Sequence, residues 1–130
     1  MEYKDIAEKP ISLDENFFRS LPKVDLHVHL DGSLRLETIL DLAEQNDVNL
    51  GTDTKEGLVD LIQPGKEHGS LKEYLLGFET TLKVMQTGEA LYRTSYELAE
   101  DAAAENIQYM EVRYSPILHT RKKLSLAAIL

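Results

Sequence analysis

Val24-Asp25-Leu26-His27-Val28-His29-Leu30-Asp31 alternates apolar with titratable side chains and stops at Gly32. A period of two marks a half-buried β-strand, because successive side chains leave opposite faces of the chain. One face carries Asp25, His27, His29 and Asp31, and the other carries Val24, Leu26, Val28 and Leu30. Burying such groups without partners costs several kcal/mol, so the polar face meets either water or a functional cavity. Two imidazoles at i and i+2 have Cα atoms about 6–7 Å apart, close enough to share one ion at N–metal distances of about 2.0–2.1 Å. A nearby carboxylate can accept the second ring N–H of a ligating histidine or bind a substrate hydroxyl. A solvated edge strand would show the same alternation. The two aspartates favour the site, as does Gly32 directly after the strand, since parallel sheets and barrels build their sites at strand carboxyl ends.

The rest of the chain reads as helices leading to a second strand. Ser33 is placed to cap a helix carrying Leu36, Ile39, Leu40 and Ala43. A short helix after Asp53 carries Leu58, Leu61 and Ile62 on one side and ends at Pro64-Gly65. Ser70-Leu71-Lys72-Glu73 fits a capping box, and Leu71, Tyr74, Leu75, Phe78, Leu82 and Met85 then recur at helical spacing. Leu71, Tyr74 and Phe78 form a core stripe, unless it overhangs the histidines as an apolar wall for a flat ligand. Thr87-Gly88 breaks the run before a helix of about 18 residues. Ile107 to Tyr114 is the second strand, with Tyr109, Glu111, Arg113 and Ser115 on one face and Met110, Val112 and Tyr114 on the other. Glu111 and Arg113 read as a structural ion pair. His68 and His119 lie in loop-like contexts and receive no role.

Strands separated by helices predict an α/β fold with parallel pairing through a crossover. Two parallel strands alone leave both edges bare, so further strands are expected from elsewhere. The apolar run Leu124 to Leu130 carries no helix-stop signal, which predicts a fragment of a longer chain. Residues 1–130 form a single incomplete domain, with residues 1–22 as a lead-in held by Phe17-Phe18.

Composition narrows the function. Fourteen Lys plus Arg against 23 Asp plus Glu leave a net charge of −9, which repels phosphate backbones. Arg121-Lys122-Lys123 is the only tight basic cluster and reads as solvated surface, so no nucleic-acid partner is expected. There is no basic, apolar leader at Met1 and no run near the ~20 apolar residues a bilayer requires. A cytoplasmic protein without membrane contact is expected. The absence of cysteine excludes disulfides, thiolate metal sites and cysteine nucleophiles within these 130 residues. It also excludes the H-x-E…P-C-x-x-C signature of cytidine-type deaminases.

Two segments resemble a known family. Leu21-Pro22-Lys23-Val24-Asp25-Leu26-His27-Val28-His29-Leu30-Asp31-Gly32-Ser33 is similar to the first-strand motif of adenosine deaminases, and Met110-Glu111-Val112-Arg113-Tyr114-Ser115-Pro116 resembles their second-strand motif. The resemblance covers residues 17–130 and only the amino-terminal part of the family domain. It implies the first part of a (β/α)8 TIM-type barrel of the amidohydrolase type, with two of eight strands and about five helices present. By motif position it makes His27 and His29 zinc ligands, places His29 beside the nucleoside as well, and has Asp31 hydrogen-bond the ribose. Leu71, Tyr74 and Phe78 would belong to the helix that gates the purine. The family's further ligands, proton donor and water-activating histidine are expected beyond Leu130. The implied reaction is zinc-dependent hydrolysis of adenosine and 2′-deoxyadenosine to inosine and ammonia, with one Zn2+ per subunit and a small purine nucleoside as partner. These residues alone are expected to be inactive. Deamination of adenine or another 6-aminopurine, a different hydrolysis on the same barrel, and a non-catalytic metal-binding fragment remain the alternatives.

Overall fold

The computed structural model describes residues 13–62 and 71–130, and within residues 71–76 the side chain of Leu75 only. In chain order the elements are α1 (Glu15–Ser20), β1 (Lys23–His29), a 3₁₀ turn (Leu30–Gly32), α2 (Leu36–Gln45), α3 (Lys55–Ile62), α4 (Leu71–Val84), α5 (Gly88–Ala104), β2 (Ile107–Arg113), a second 3₁₀ turn (Pro116–His119) and α6 (Leu126–Ile129). β1 and β2 pair in parallel, with Val24 opposite Tyr109, Val28 opposite Val112 and His29 opposite Arg113. Their carboxyl ends are therefore level, and whatever follows His29 meets whatever follows Arg113.

Several local expectations are corrected. α1 adds a sixth α-helix to the expected five; it lies inside the lead-in and is capped by Asp14, whose side chain accepts from the Phe17 N–H at 2.9 Å. The Phe17 and Phe18 rings meet edge-on at 5.5 Å, yet Phe18 stays 53% exposed. β1 stops at His29 rather than Asp31, because Leu30–Gly32 coils into the 3₁₀ turn. Ser33 closes that turn instead of capping α2: its N–H donates to Leu30 O at 3.2 Å and its hydroxyl to His29 O at 2.7 Å. The N-cap of α2 is Arg35, which makes no side-chain capping bond. Its guanidinium reaches Asp101 at 2.6 Å and Glu100 at 3.2 Å, and the bond to Asp101 raises its pKa further above the usual arginine range. Arg93 extends this seam between α2 and α5, bonding Glu97 at 2.8 Å and Asp41 at 2.9 Å. Ser70 and Pro64-Gly65 lie outside the described residues.

The core gathers Leu30, Ile39, Leu42, Leu50, Leu58, Val84, Met85 and Leu91 between α2, α3, the end of α4 and α5. On α3 only Leu58 is fully buried; Ile62, one turn on, is half-buried, and Leu61 turns out to be 40% exposed. Residues three and four apart flank the same face from opposite sides, and the core lies on the side of Ile62. Val24 and Leu26, on the apolar face that a half-buried strand would cover, are 63% and 57% exposed. Among the described residues α5 packs on β2, while no helix packs extensively on β1.

α3 and α4 touch at Gly77, where an added Cβ would lie 2.5 Å from Ile62 O. That obstacle is backbone and cannot rotate away. Gly77→Ala is therefore expected to destabilise the fold by about 1–3 kcal/mol, the usual cost of overpacking, read as a lower urea midpoint at unchanged slope.

Candidate functional site

The alternation of β1 does place its two histidines on one side. The Nε2 atoms of His27 and His29 are 3.1 Å apart, with ring centroids at 5.1 Å. Two nitrogens bound at about 2.0–2.1 Å to one tetrahedral ion lie about 3.3 Å from each other. The pair is thus nearly set to bracket a cation, and each ring leaves Nδ1 for a supporting partner. Among the described residues no set of three His, Asp or Glu side chains converges on a common ion. Two ligands are what this part of the chain offers.

The aspartates behave differently from the histidines. Asp25 folds back on its own strand, its Oδ1 accepting the His27 N–H at 3.0 Å, which fixes the backbone that carries the first ring. Asp31, carried around by the 3₁₀ turn, is 7% exposed, and its Oδ1 has no hydrogen-bond partner. It stands 3.9 Å from His29 Nδ1, beyond hydrogen-bonding range, so it does not orient that ring. A buried carboxylate oxygen without a partner is costly in a folded protein unless a ligand or solvent completes it.

Asp31 also lines a cavity of about 660 Å³. His29 and Asp31 line one side, Leu75, Phe78, Glu79 and Leu82 of α4 a second, and Arg113 to Ser115 with Leu118 the third. The Phe78 ring meets the His29 ring edge-on, with centroids 6.1 Å apart. Phe78 therefore lines the cavity next to His29. The side chains of Leu71 and Tyr74 lie outside the described residues. His27 stands beside the cavity rather than in its lining. Arg113 pairs with Glu111 at 3.1 Å and donates to Leu26 O at 3.2 Å, so this pair is structural, as its spacing suggested, and ties β2 to β1.

No sequence pattern pointed to the contacts that hold the lining residue Leu118 against α4. Gln86, 3% exposed, donates to Leu82 O at 2.6 Å and Leu118 O at 2.9 Å, and accepts from the Arg121 N–H at 2.9 Å. His119 is fully buried, with Nδ1 2.9 Å from Met85 O. Together they fasten the turn after β2 to the end of α4. Neither lies in a periodic pattern, and only the run of polar residues at a helix junction could have pointed to them. His68 lies outside the described residues.

Comparison with known proteins gives this arrangement a family. The adenosine deaminase family model matches residues 22–130. The adenosine deaminase of Vibrio atlanticus is 50% identical over 113 residues, and that of Clostridium botulinum strain Loch Maree is 46% identical over 113. Each alignment covers 87% of this chain and 34% of the relative, so the chain spans about a third of their length. Among solved structures, an amidohydrolase from Burkholderia ambifaria with bound Zn superposes with a TM-score of 0.71 at 25% identity, covering 94% of this chain and 33% of that one. The Arabidopsis N6-mAMP deaminase superposes at 0.63 with 29% identity over 88% of this chain and 33% of its own. The two strands and their helices are thus the portion of an amidohydrolase barrel that the motifs implied. With a match that runs from Pro22 to Leu130 and takes in both strand motifs, the chain belongs to the adenosine deaminase family.

Proposed function

We propose that the full-length protein hydrolyses adenosine and 2′-deoxyadenosine to inosine or deoxyinosine and ammonia with one zinc ion, and that His27 and His29 are two of its ligands. The observation carrying this reading is the convergence of the two Nε2 atoms, 3.1 Å apart, beside a cavity lined by Asp31, a buried carboxylate whose Oδ1 has no hydrogen-bond partner. Zinc, when bound, makes water a nucleophile near neutral pH. The chain's own residues do the rest of what this part can do. His27 and His29 hold the ion at the carboxyl end of β1, and His29 also faces the substrate. Asp31 accepts a ribose hydroxyl, which would satisfy its lone Oδ1. Phe78, with Leu71 and Tyr74 on the same helix, closes over the purine and keeps bulk water from it. The described residues bring two ligands together, and the proton donor is expected beyond Leu130, so the isolated chain is expected to be inactive. A cytoplasmic location and a small-molecule partner fit this chemistry.

The Arabidopsis neighbours favour a second reading, a deaminase of a 6-aminopurine nucleotide, since their names and bound ligands include N6-mAMP, GMP and IMP. The cavity argues for the nucleoside. Its only cation among the described lining residues is Arg113, already tied to Glu111, so none of these residues stands ready to pair with a phosphate.

Adenosine, 2′-deoxyadenosine, adenine and N6-methyl-AMP offered separately to the zinc-loaded full-length protein separate the readings. Loss of the adenosine absorbance band is expected with the two nucleosides, at a kcat/KM about a hundredfold or more above the other two. A preference for the nucleotide or the free base would replace the nucleoside assignment.

A further inference from the structure

We propose that Thr81 is a positioning residue whose buried hydroxyl holds the Asp31 carboxylate and the Phe78 wall in fixed relation, and thereby sets affinity for the sugar of the substrate. The inference rests on the nucleoside reading of the cavity and adds a residue that neither strand motif contains. Thr81 is 3% exposed and stands three residues after Phe78 on α4. Interior helical threonines usually turn the hydroxyl back to a carbonyl three or four residues earlier. Here that contact, to Phe78 O, is 3.0 Å, whereas the bond to Asp31 O is 2.6 Å and crosses from α4 to the turn after β1.

The Asp31 side chain has no hydrogen-bonded partner of its own at Oδ1, so its aim is inherited from the backbone of the three-residue turn. That backbone is restrained from two sides. A Cβ on Gly32 would meet the Phe78 ring at 3.0 and 3.2 Å, so the turn lies close to the ring and only a glycine fits there without moving it. The Thr81 hydroxyl prevents it from lifting away. Removing the hydroxyl strands a buried carbonyl and frees the turn on that side.

Thr81→Val keeps the volume and deletes the donor, whereas Thr81→Ser keeps the donor. In the full-length protein the valine variant is expected to raise KM for adenosine about tenfold with kcat within about twofold, and to leave inhibition by adenine, which lacks the sugar, unchanged. The serine variant returns KM to within about threefold of the parent. Independently of turnover, amide hydrogen exchange across Leu30 to Ser33 should accelerate in the valine variant and not in the serine variant. If the parent does not act on adenosine but exchange changes as stated, the nucleoside reading falls and the hold on the turn stands. Unchanged exchange with unchanged KM overturns the proposal, as does an equal loss of adenosine and adenine binding. Should Thr81→Val not fold, Gly32→Ala carries the test from the other side of the turn: it should push the Phe78 ring away and raise KM for adenosine about threefold or more, and a KM equal to the parent's would overturn the proposal.

Discussion

Alanine at His27 or at His29 is expected to abolish adenosine turnover by the full-length protein while leaving its fold intact. Even outer partners of metal-ligating side chains are worth about 10–100-fold in affinity or activity, so loss of a ligand costs more than that. The two rings are the only pair of imidazoles that converge among the described residues, and neither is buried, so truncating one opens no cavity in the core. Three measurements on each variant check this: turnover, bound zinc by atomic absorption, and the thermal midpoint. Turnover and zinc should fall together, with the midpoint at or above that of the metal-stripped parent. Turnover near the parent's value in either variant would remove that histidine from the metal site. Stripping zinc from the parent with a chelator should give the same loss, reversed when zinc is restored.

The largest expected effect on stability comes from Leu58→Ala. Leu58 is fully buried and is the sole buried residue of α3, a helix whose remaining side chains are half-buried or exposed. Truncating such a leucine costs about 2–5 kcal/mol, from lost transfer free energy and the cavity left behind. The neighbouring exposed position is the control. Leu61→Ala, at 40% exposure, should cost less than about 1 kcal/mol. Equal losses at the two positions in urea melts would mean that α3 is not anchored as described. Because α3 abuts α4 at Gly77, Leu58→Ala should also loosen the wall that carries Phe78, raising KM for adenosine before the protein melts.

The parts of the site that were legible in the sequence are those governed by backbone periodicity. A period of two put His27 and His29 on one side of β1 whatever surrounds the strand, and helical spacing put Phe78 on the same face of α4 as Leu75 and Leu82, which line the cavity. The family came from the two strand motifs, since nothing in spacing alone names one. Asp31 shows where periodicity stops: the alternation includes it, but the 3₁₀ turn has already begun, and this turn is what buries the carboxylate. Ser33 fits the pattern of a cap, yet its hydroxyl found a nearer carbonyl in the turn behind it. Thr81, Gln86 and His119 were not legible because their partners are carbonyls between 32 and 50 residues away, reached by side chains for which no local pattern selects. The apolar residues Val24 and Leu26 follow the alternation faithfully, and their exposure reflects what packs on β1 rather than what β1 is.

That uncovered strand has a consequence for biosynthesis. In a closed eight-stranded barrel the first strand made is also the neighbour of the last, so one border of β1 waits for the end of translation before it is sealed. Until then its amides and carbonyls, flanked by Val24 and Leu26, form a template on which a second nascent chain could lay a strand. Long-range closure of this kind is slow, and yield in a cell should depend on holdase chaperones more than the finished barrel's melting temperature would suggest.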